Sequence, residues 1–240
     1  MRAGSVCYHA GMAGSTRWLY ELGAATYGWC TAQAGWAASC AALVAGLPPV
    51  PRRILDLGCG PGGVLAAAAA ARPSAHLYGV DVVARMLSEA LRRRPWATAR
   101  PARSPRLVRA DALRLPFPDG AFDAVTGHSF LYLVPQRAAV LAEAWRVLAP
   151  GGRLALMEPW AGPPAPRAVL RHSRDPRFLI SVTLWRLFSR WRGRFGAREL
   201  AALLVAQGFV AARGQVVLGG LGLVAYADKP PLASERRSSI

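Results

Sequence analysis

Between Arg53 and Ala71 the chain passes through a short apolar run, a glycine-dense bend and an alanine-rich stretch. The run is Ile54-Leu55-Asp56-Leu57, the bend Gly58-Cys59-Gly60-Pro61-Gly62-Gly63, and the stretch Val64 to Ala71. A continuous apolar run of this length suits a strand of a parallel sheet buried on both faces. The bend satisfies the G-x-G-x-x-G pattern between a strand and a helix. Glycines there permit positive φ and let a ligand approach the backbone closely. The bend alone would equally describe a dinucleotide site. Asp56, two residues ahead of the first glycine, separates the two readings. Its carboxylate would repel a pyrophosphate and suits a cationic ligand end. The plainer alternative is a strand-end residue that satisfies backbone donors.

The pattern repeats downstream. Strands are expected at 76–80, 106–109, 122–126 and 153–158, with helices at 86–94 and 135–148 between them. Alternation of this kind implies a mainly parallel sheet covered on both faces. A helix at 197–207 and two strands, 209–217 and 223–228, close the series. The short Gly219-Gly220 link forces those last two strands to pair antiparallel, since a parallel pair needs a long crossover. The fold class is therefore α/β: a Rossmann-like, seven-stranded, mainly parallel sheet with helices on both faces and an antiparallel last strand. Ahead of it, Thr16 to Leu47 reads as one helix stopped by Pro48-Pro49. Residues 161–195 interrupt the alternation with a proline-rich loop and an Arg/Trp helix. Within that helix, 179–188 is expected to form a lid with an Arg-bearing outer face.

Thirty basic residues face thirteen acidic ones, a net charge of +17. Arginine supplies 29 of the thirty, scattered apart from Arg92-Arg93-Arg94 and a looser group at 186–198. A solvated basic face is the default reading, with an anionic membrane surface as the alternative partner. Nucleic acid is disfavoured because no aromatic–basic platform is evident. The four cysteines form no C-x-x-C pair, which argues against zinc and against a secreted disulfide framework. The first residues lack the apolar core of a signal peptide. The uncharged segment 22–50 is rich in Ala and Gly, a composition that inserts weakly into membranes. A cytoplasmic protein, with membrane-peripheral attachment as the alternative, is expected. A serine hydrolase is disfavoured by the absence of a G-x-S-x-G elbow.

Two further acids end strands. Asp81 closes the second, where a carboxylate accepts ribose hydroxyls in nucleotide-binding α/β folds; its plainer role is a helix cap. Asp111 closes the third, within reach of an exocyclic amine, and again a cap is the alternative. His128, after the fourth strand, would orient a ligand or act as a base, or simply be a neutral strand-end residue.

These blocks, together with Ala110-Asp111-Ala112-Leu113-Arg114-Leu115-Pro116-Phe117, Phe122-Asp123-Ala124-Val125 and Arg146-Val147-Leu148-Ala149-Pro150-Gly151-Gly152, closely resemble the class I S-adenosylmethionine (AdoMet)-dependent methyltransferases. The nearest likeness is to the type-11 group, which includes quinone-, sterol- and small-molecule-methylating enzymes. The resemblance covers residues 52–160. It implies AdoMet as the cofactor, with Asp56, Gly58, Gly60 and Gly62 at its methionine end and Asp81 on the ribose. Val82 and Met86 would flank the adenine, with Asp111 and Ala112 at its edge and His128 near the amino-acid end. Related sequences often carry His at the position of Tyr132, a departure here. Tyr20, Tyr27 and Tyr132 are candidate aromatic neighbours of the sulfonium, with plain packing the alternative. Tyr20, Tyr132 and His128 are the only catalytic candidates, and a dedicated base is not required. The implied layout is a helical cap over 1–50, an AdoMet-binding core over 51–160, a lid-like insertion over 161–195, a closing helix and strand pair over 196–230, and a tail over 231–240. Acceptor choice is expected to reside in the cap and the insertion, both apolar and Trp-rich, and so to favour a small hydrophobic or aromatic acceptor. A membrane-surface phospholipid or quinone is the alternative.

Overall fold

The computed structural model describes residues 14–99 and 101–232; the end of the expected tail lies outside them. One seven-stranded sheet organises the chain. Its strands are β1 (Arg53–Leu57), β2 (His76–Asp81), β3 (Arg106–Arg109), β4 (Phe122–His128), β5 (Leu148–Pro159), β6 (Val210–Val217) and β7 (Gly222–Asp228). They lie in the order β3-β2-β1-β4-β5-β7-β6. The first five run parallel, and β7 is antiparallel to both neighbours. The expected sheet, including its reversed last strand, is the observed one. Chain order reverses between β1 and β4, which opens a crevice at their carboxyl ends. Leu55, Leu57, Ala124 and Val125 pack the two central strands into the core with essentially no exposure.

Helices α3 (Gly63–Ala71), α4 (Ala84–Arg93), α5 (Arg137–Val147) and α8 (Ala197–Ala206) fall where the apolar spacing puts them. Four departures from the sequence reading stand out. The expected single N-terminal helix is two, α1 (Gly14–Thr31) and α2 (Ala34–Ala45). Gln33 makes the break: its side-chain oxygen accepts from Trp36 N while its amide donates to Cys30 O. One residue thereby ends one helix and caps the next. Strand β5 begins at Leu148, which pairs with Phe122 before the turn at Gly151. The insertion holds two helices, α6 (Pro166–His172) and α7 (Pro176–Arg192).

The fourth departure concerns the outer face of α7. Phe178, Val182, Trp185 and Ser189 point inward, and Ile180, Leu184, Leu187 and Trp191 point out. Both sets follow the spacing of one helix face. Arg186, expected on the outside, turns to the carbonyls of Trp160 and Gly162. The outward stripe is therefore apolar. Helix α1 lies against α4 on one side and α7 on the other, so it roofs the crevice.

Candidate active site

The glycine bend carries three positive φ values, 61° at Gly58, 48° at Gly60 and 90° at Gly62, and the three serve different ends. A Cβ on Gly58 would come within 2.7 Å of Phe130, so the close fit of the turn after β4 demands glycine. A Cβ on Gly62 would come within 2.8 Å of Trp96. Gly62 also caps α3 and does not line the crevice, so the structure leaves it outside the expected cofactor set. A Cβ on Gly60 would meet nothing nearer than the Gly58 carbonyl at 4.0 Å. The space above Gly60 is open, as a cradle for a ligand requires.

Around that cradle the crevice has two connected lobes. One is bordered by Asp56, Pro61, Gly63 and Cys40; the other by Asp81, Val82, Met86, Asp111 and Ala112; Tyr27, Gly58, Gly60 and His128 border both. The structure thus brings together every expected cofactor residue except Gly62.

Asp56 is 1% exposed. Its Oδ1 accepts a 2.8 Å hydrogen bond from the Thr126 hydroxyl. Burial pushes the acid up to about 7, with the Thr126 bond opposing. Among the described residues no cation pairs with it. A buried carboxylate without a positive partner is costly, and an ammonium group in this lobe would relieve that cost. Asp81 spends both oxygens on backbone: Oδ2 accepts from Gly60 N at 2.9 Å and Oδ1 from Val83 N at 2.8 Å. It ties the glycine bend to the start of α4 and keeps its remaining lone pairs for a ligand. Burial raises it to about 6, against those two bonds. Asp111 is half-buried and accepts from Leu113 N through Oδ1, which stabilises a turn; no helix stands between it and β4 for it to cap, and it faces the crevice. Open cradle, unpaired acid and flanking apolar residues fit a ligand with an ammonium end and a flat aromatic end. Among the described residues, no group of three His, Cys, Asp or Glu side chains is placed to hold a metal ion.

His128 Nε2 lies 2.8 Å from Ser39 Oγ, and Ser39 donates its single hydrogen to Trp36 O. The contact with Ser39 holds the imidazole ring in place. Burial lowers the histidine to about 4. It is a fixed, weakly basic residue bordering both lobes of the crevice.

A third, larger cavity of about 540 Å³ lies between α1 and α7. Leu19, Tyr20, Gly23, Trp36, Tyr132, Leu184, Trp185, Phe188 and Trp191 line it. No charged side chain is among its described lining residues. Tyr20, Tyr27 and Ser129 border both this cavity and the crevice above the glycine bend, whereas Tyr132 borders the cavity alone. Burial raises all three tyrosines above the usual phenol range, so they stay protonated at neutral pH. Ser129 escaped sequence reasoning altogether. Its φ is 57°, and its buried hydroxyl has no hydrogen-bond partner. Glu158 was also missed. This fully buried acid accepts from the backbone N–H groups of Phe130, Leu131 and Tyr132; burial moves it up to about 7 against those bonds. It fixes the turn that carries Ser129 and Tyr132 into place. Its only sequence signal was an acid closing an apolar strand.

Residues 55–156 match the family described as "Methyltransferase domain". A demethylmenaquinone methyltransferase of Thermus thermophilus is 35% identical over 199 residues, 77% of this chain and 86% of that protein. A malonyl-[acyl-carrier protein] O-methyltransferase of Legionella pneumophila is 38% identical over 104 residues, 43% of this chain and 35% of that protein. Among solved structures, phosphoethanolamine N-methyltransferase 2 of Haemonchus contortus with bound S-adenosyl-L-methionine superposes with a TM-score of 0.66 at 17% identity, covering 91% of this chain and 60% of that one. A SAM-dependent methyltransferase of Thermotoga maritima gives 0.63 at 19% identity over 88% and 98%. At those identities the two structures speak to the fold.

Proposed function

The chain belongs to the class I AdoMet-dependent methyltransferases, and from that premise we propose that it methylates a flat, apolar ring acceptor of quinol type. AdoMet, when bound, supplies a methyl group activated by its sulfonium. We assign the ammonium end to Asp56 and the Gly58–Gly60 backbone, the ribose to Asp81, and the adenine to Val82, Met86, Asp111 and Ala112. His128 braces the amino-acid end through its Ser39 contact. The expected Gly62 contact is left out of this set, because Gly62 borders neither lobe and its N–H is donated to Cys59 O.

One observation carries the acceptor reading: the apolar cavity adjoins the cofactor crevice across Tyr20, Tyr27 and Ser129. Ser129, whose buried hydroxyl has no partner in the protein, stands at that junction as the proposed contact for an acceptor hydroxyl, to be reached by a small shift of the turn, and Trp36 and Trp185 line the cavity beside it. The candidate bases are weak: a neutral histidine at about 4 and phenols that hold their protons. The acceptor must then bring its own acidity, as a hydroquinone or other phenol does. The protein contributes alignment and exclusion of water. Among the relatives above, the Thermus protein is named for a demethylated menaquinone, in keeping with this reading. A malonyl acceptor is disfavoured, because its carboxylate would find no cation among the described lining of the cavity. The test is transfer of labelled methyl from AdoMet to a panel of reduced, demethylated naphthoquinones, with malonyl-acyl carrier protein as the rival. Label in the naphthoquinol is expected. Label in the carrier protein alone would overturn the assignment.

A further inference from the structure

Two neighbouring helices each carry an apolar stripe that points away from the protein. On α1 the stripe is Trp18, Leu22 and Trp29; on α7 it is Ile180, Leu184, Leu187 and Trp191. Trp191 is 83% exposed and Trp18 64%. The helices run antiparallel: Trp29, late in α1, lies under the Arg177 guanidinium at the start of α7, and Leu19, early in α1, shares a cavity wall with Trp191 at the end of α7. The two stripes stand on neighbouring helices and both point outward. Isolated exposed apolar residues need no explanation, but two such stripes side by side mark an interaction surface.

Two features identify the occupant. The first is what the face opens onto. Leu184, Leu187 and Trp191 belong to the outward stripe and also to the wall of the acceptor cavity. Whatever covers the face therefore has direct access to the cavity. The second is charge. The chain carries a net +17, and the elements flanking the face are rich in arginine. Arg85 and Arg92 are exposed on α4, beside α1, and Arg190 is exposed on α7. The acids on these three helices are few: Glu89 is taken by Arg92 and Arg93, and Glu21 accepts from Arg85 N. An apolar face with Trp and Leu at its centre and arginine at its margin matches a helix lying in the interfacial region of an anionic bilayer. Among the described residues no helix is long and apolar enough to cross a membrane, so attachment would be to one leaflet.

We infer that the α1–α7 face docks on an anionic lipid surface and that a lipophilic acceptor passes from the leaflet into the cavity between those helices. The route, though not the docking, rests on the acceptor reading above. Docking is measured with neither acceptor nor AdoMet present, so the two readings fail separately. The full chain is sedimented with phosphatidylglycerol–phosphatidylcholine vesicles and with pure phosphatidylcholine vesicles, across a salt series. Binding is expected to the anionic vesicles and to weaken with salt. The double variant Leu22→Glu/Ile180→Glu alters exposed stripe residues that do not line the cavity. It should lower partitioning by about tenfold or more, as expected when apolar contacts are replaced by charges that repel the lipid. Calorimetric AdoMet affinity, unchanged in the variant, shows that the fold is kept. Absence of vesicle binding at low salt overturns the inference. So does unchanged binding by the double variant. Self-association that the two substitutions abolish, without vesicle binding, would assign the face to a second copy of the chain instead.

Discussion

The glycine-bend crevice, proposed to hold the cofactor, and the α1–α7 cavity, proposed to hold the acceptor, adjoin each other but are built in opposite ways. The crevice is polar and backbone-made. Its acids sit at or beside strand ends: Asp81 bridges the first two βα units through Gly60 N and Val83 N, and Asp56 is held by the Thr126 hydroxyl. The cavity is apolar and made of side chains from α1, α2, α7 and the turn after β4. On the proposed assignment, electrostatics would hold one ligand, and shape and exclusion of water the other. Loss of a single group should therefore be severe in the crevice, and change of volume should matter more in the cavity.

The largest expected effect is Asp56→Ala. Removing the partner of a buried ammonium should weaken AdoMet by ~2–3 kcal/mol, the scale of a hydrogen bond to a charged group. The ligand-free protein should keep its stability, because the variant also deletes an acid that burial already penalises. Calorimetry with a melting curve reads both. Normal AdoMet affinity in a folded Asp56→Ala protein would remove the acid from the site.

The same group sets a pH dependence. In the free protein Asp56 keeps its proton up to about 7, whereas an ammonium ligand requires the carboxylate. Binding therefore releases a proton below that point, and affinity should fall by up to about tenfold per pH unit as pH drops below 7. The stability of the free protein should run the other way. An unfolded Asp releases its proton near 3.9, the folded one near 7, so this group's contribution is lost as pH rises through that window. A pH-independent AdoMet affinity between pH 5.5 and 7.5, values bracketing the transition by about a unit, would contradict the pairing.

In the cavity the sharper probe is added bulk. Gly23 lies on α1, lines the cavity, and has nothing within 4 Å of where a Cβ would stand. Gly23→Leu should fit without strain and gain helix propensity of up to ~1 kcal/mol. It should lower kcat/KM for the acceptor at least about tenfold, ~1.4 kcal/mol, and leave AdoMet affinity within about twofold by that scale. If both ligands weakened together, the division between the two regions would be misplaced.

The same division governs what the sequence reveals. Each crevice acid announces itself locally, by standing beside a glycine bend or at the end of an apolar run, so Asp56, Asp81 and Asp111 were legible. The number of strands and the reversed last one followed from the strand–helix alternation and one short link; the order of the strands came from the structure. Gly62 differs from the other two glycines in a way the pattern hides: it packs against Trp96, more than thirty positions on, and does not border the crevice. The cavity draws on residues from 19 to 191, and no local pattern encodes such a meeting. Nor did the α1–α2 break show: Gln33 makes it through side-chain bonds, with no proline or glycine at the junction. The outward stripe of α7 was hidden by its arginines, because Arg186 turns inward to carbonyls.

The smallest expected effect tests the junction between the two regions. Ser129 Oγ has no partner in the protein, so Ser129→Ala removes nothing the fold uses and should leave the melting temperature unchanged. If the hydroxyl meets the acceptor, kcat/KM should fall by ~0.5–1.5 kcal/mol, the net value of one neutral hydrogen bond, with AdoMet affinity intact. Ser129→Gly is the control. At a φ of 57° glycine relieves a conformation that costs other residues ~1–2 kcal/mol, so this variant should melt higher while losing the same activity. Stability and turnover would then move in opposite directions at one atom, which a purely structural serine cannot produce. Full activity in both variants would show that the acceptor is held by shape alone.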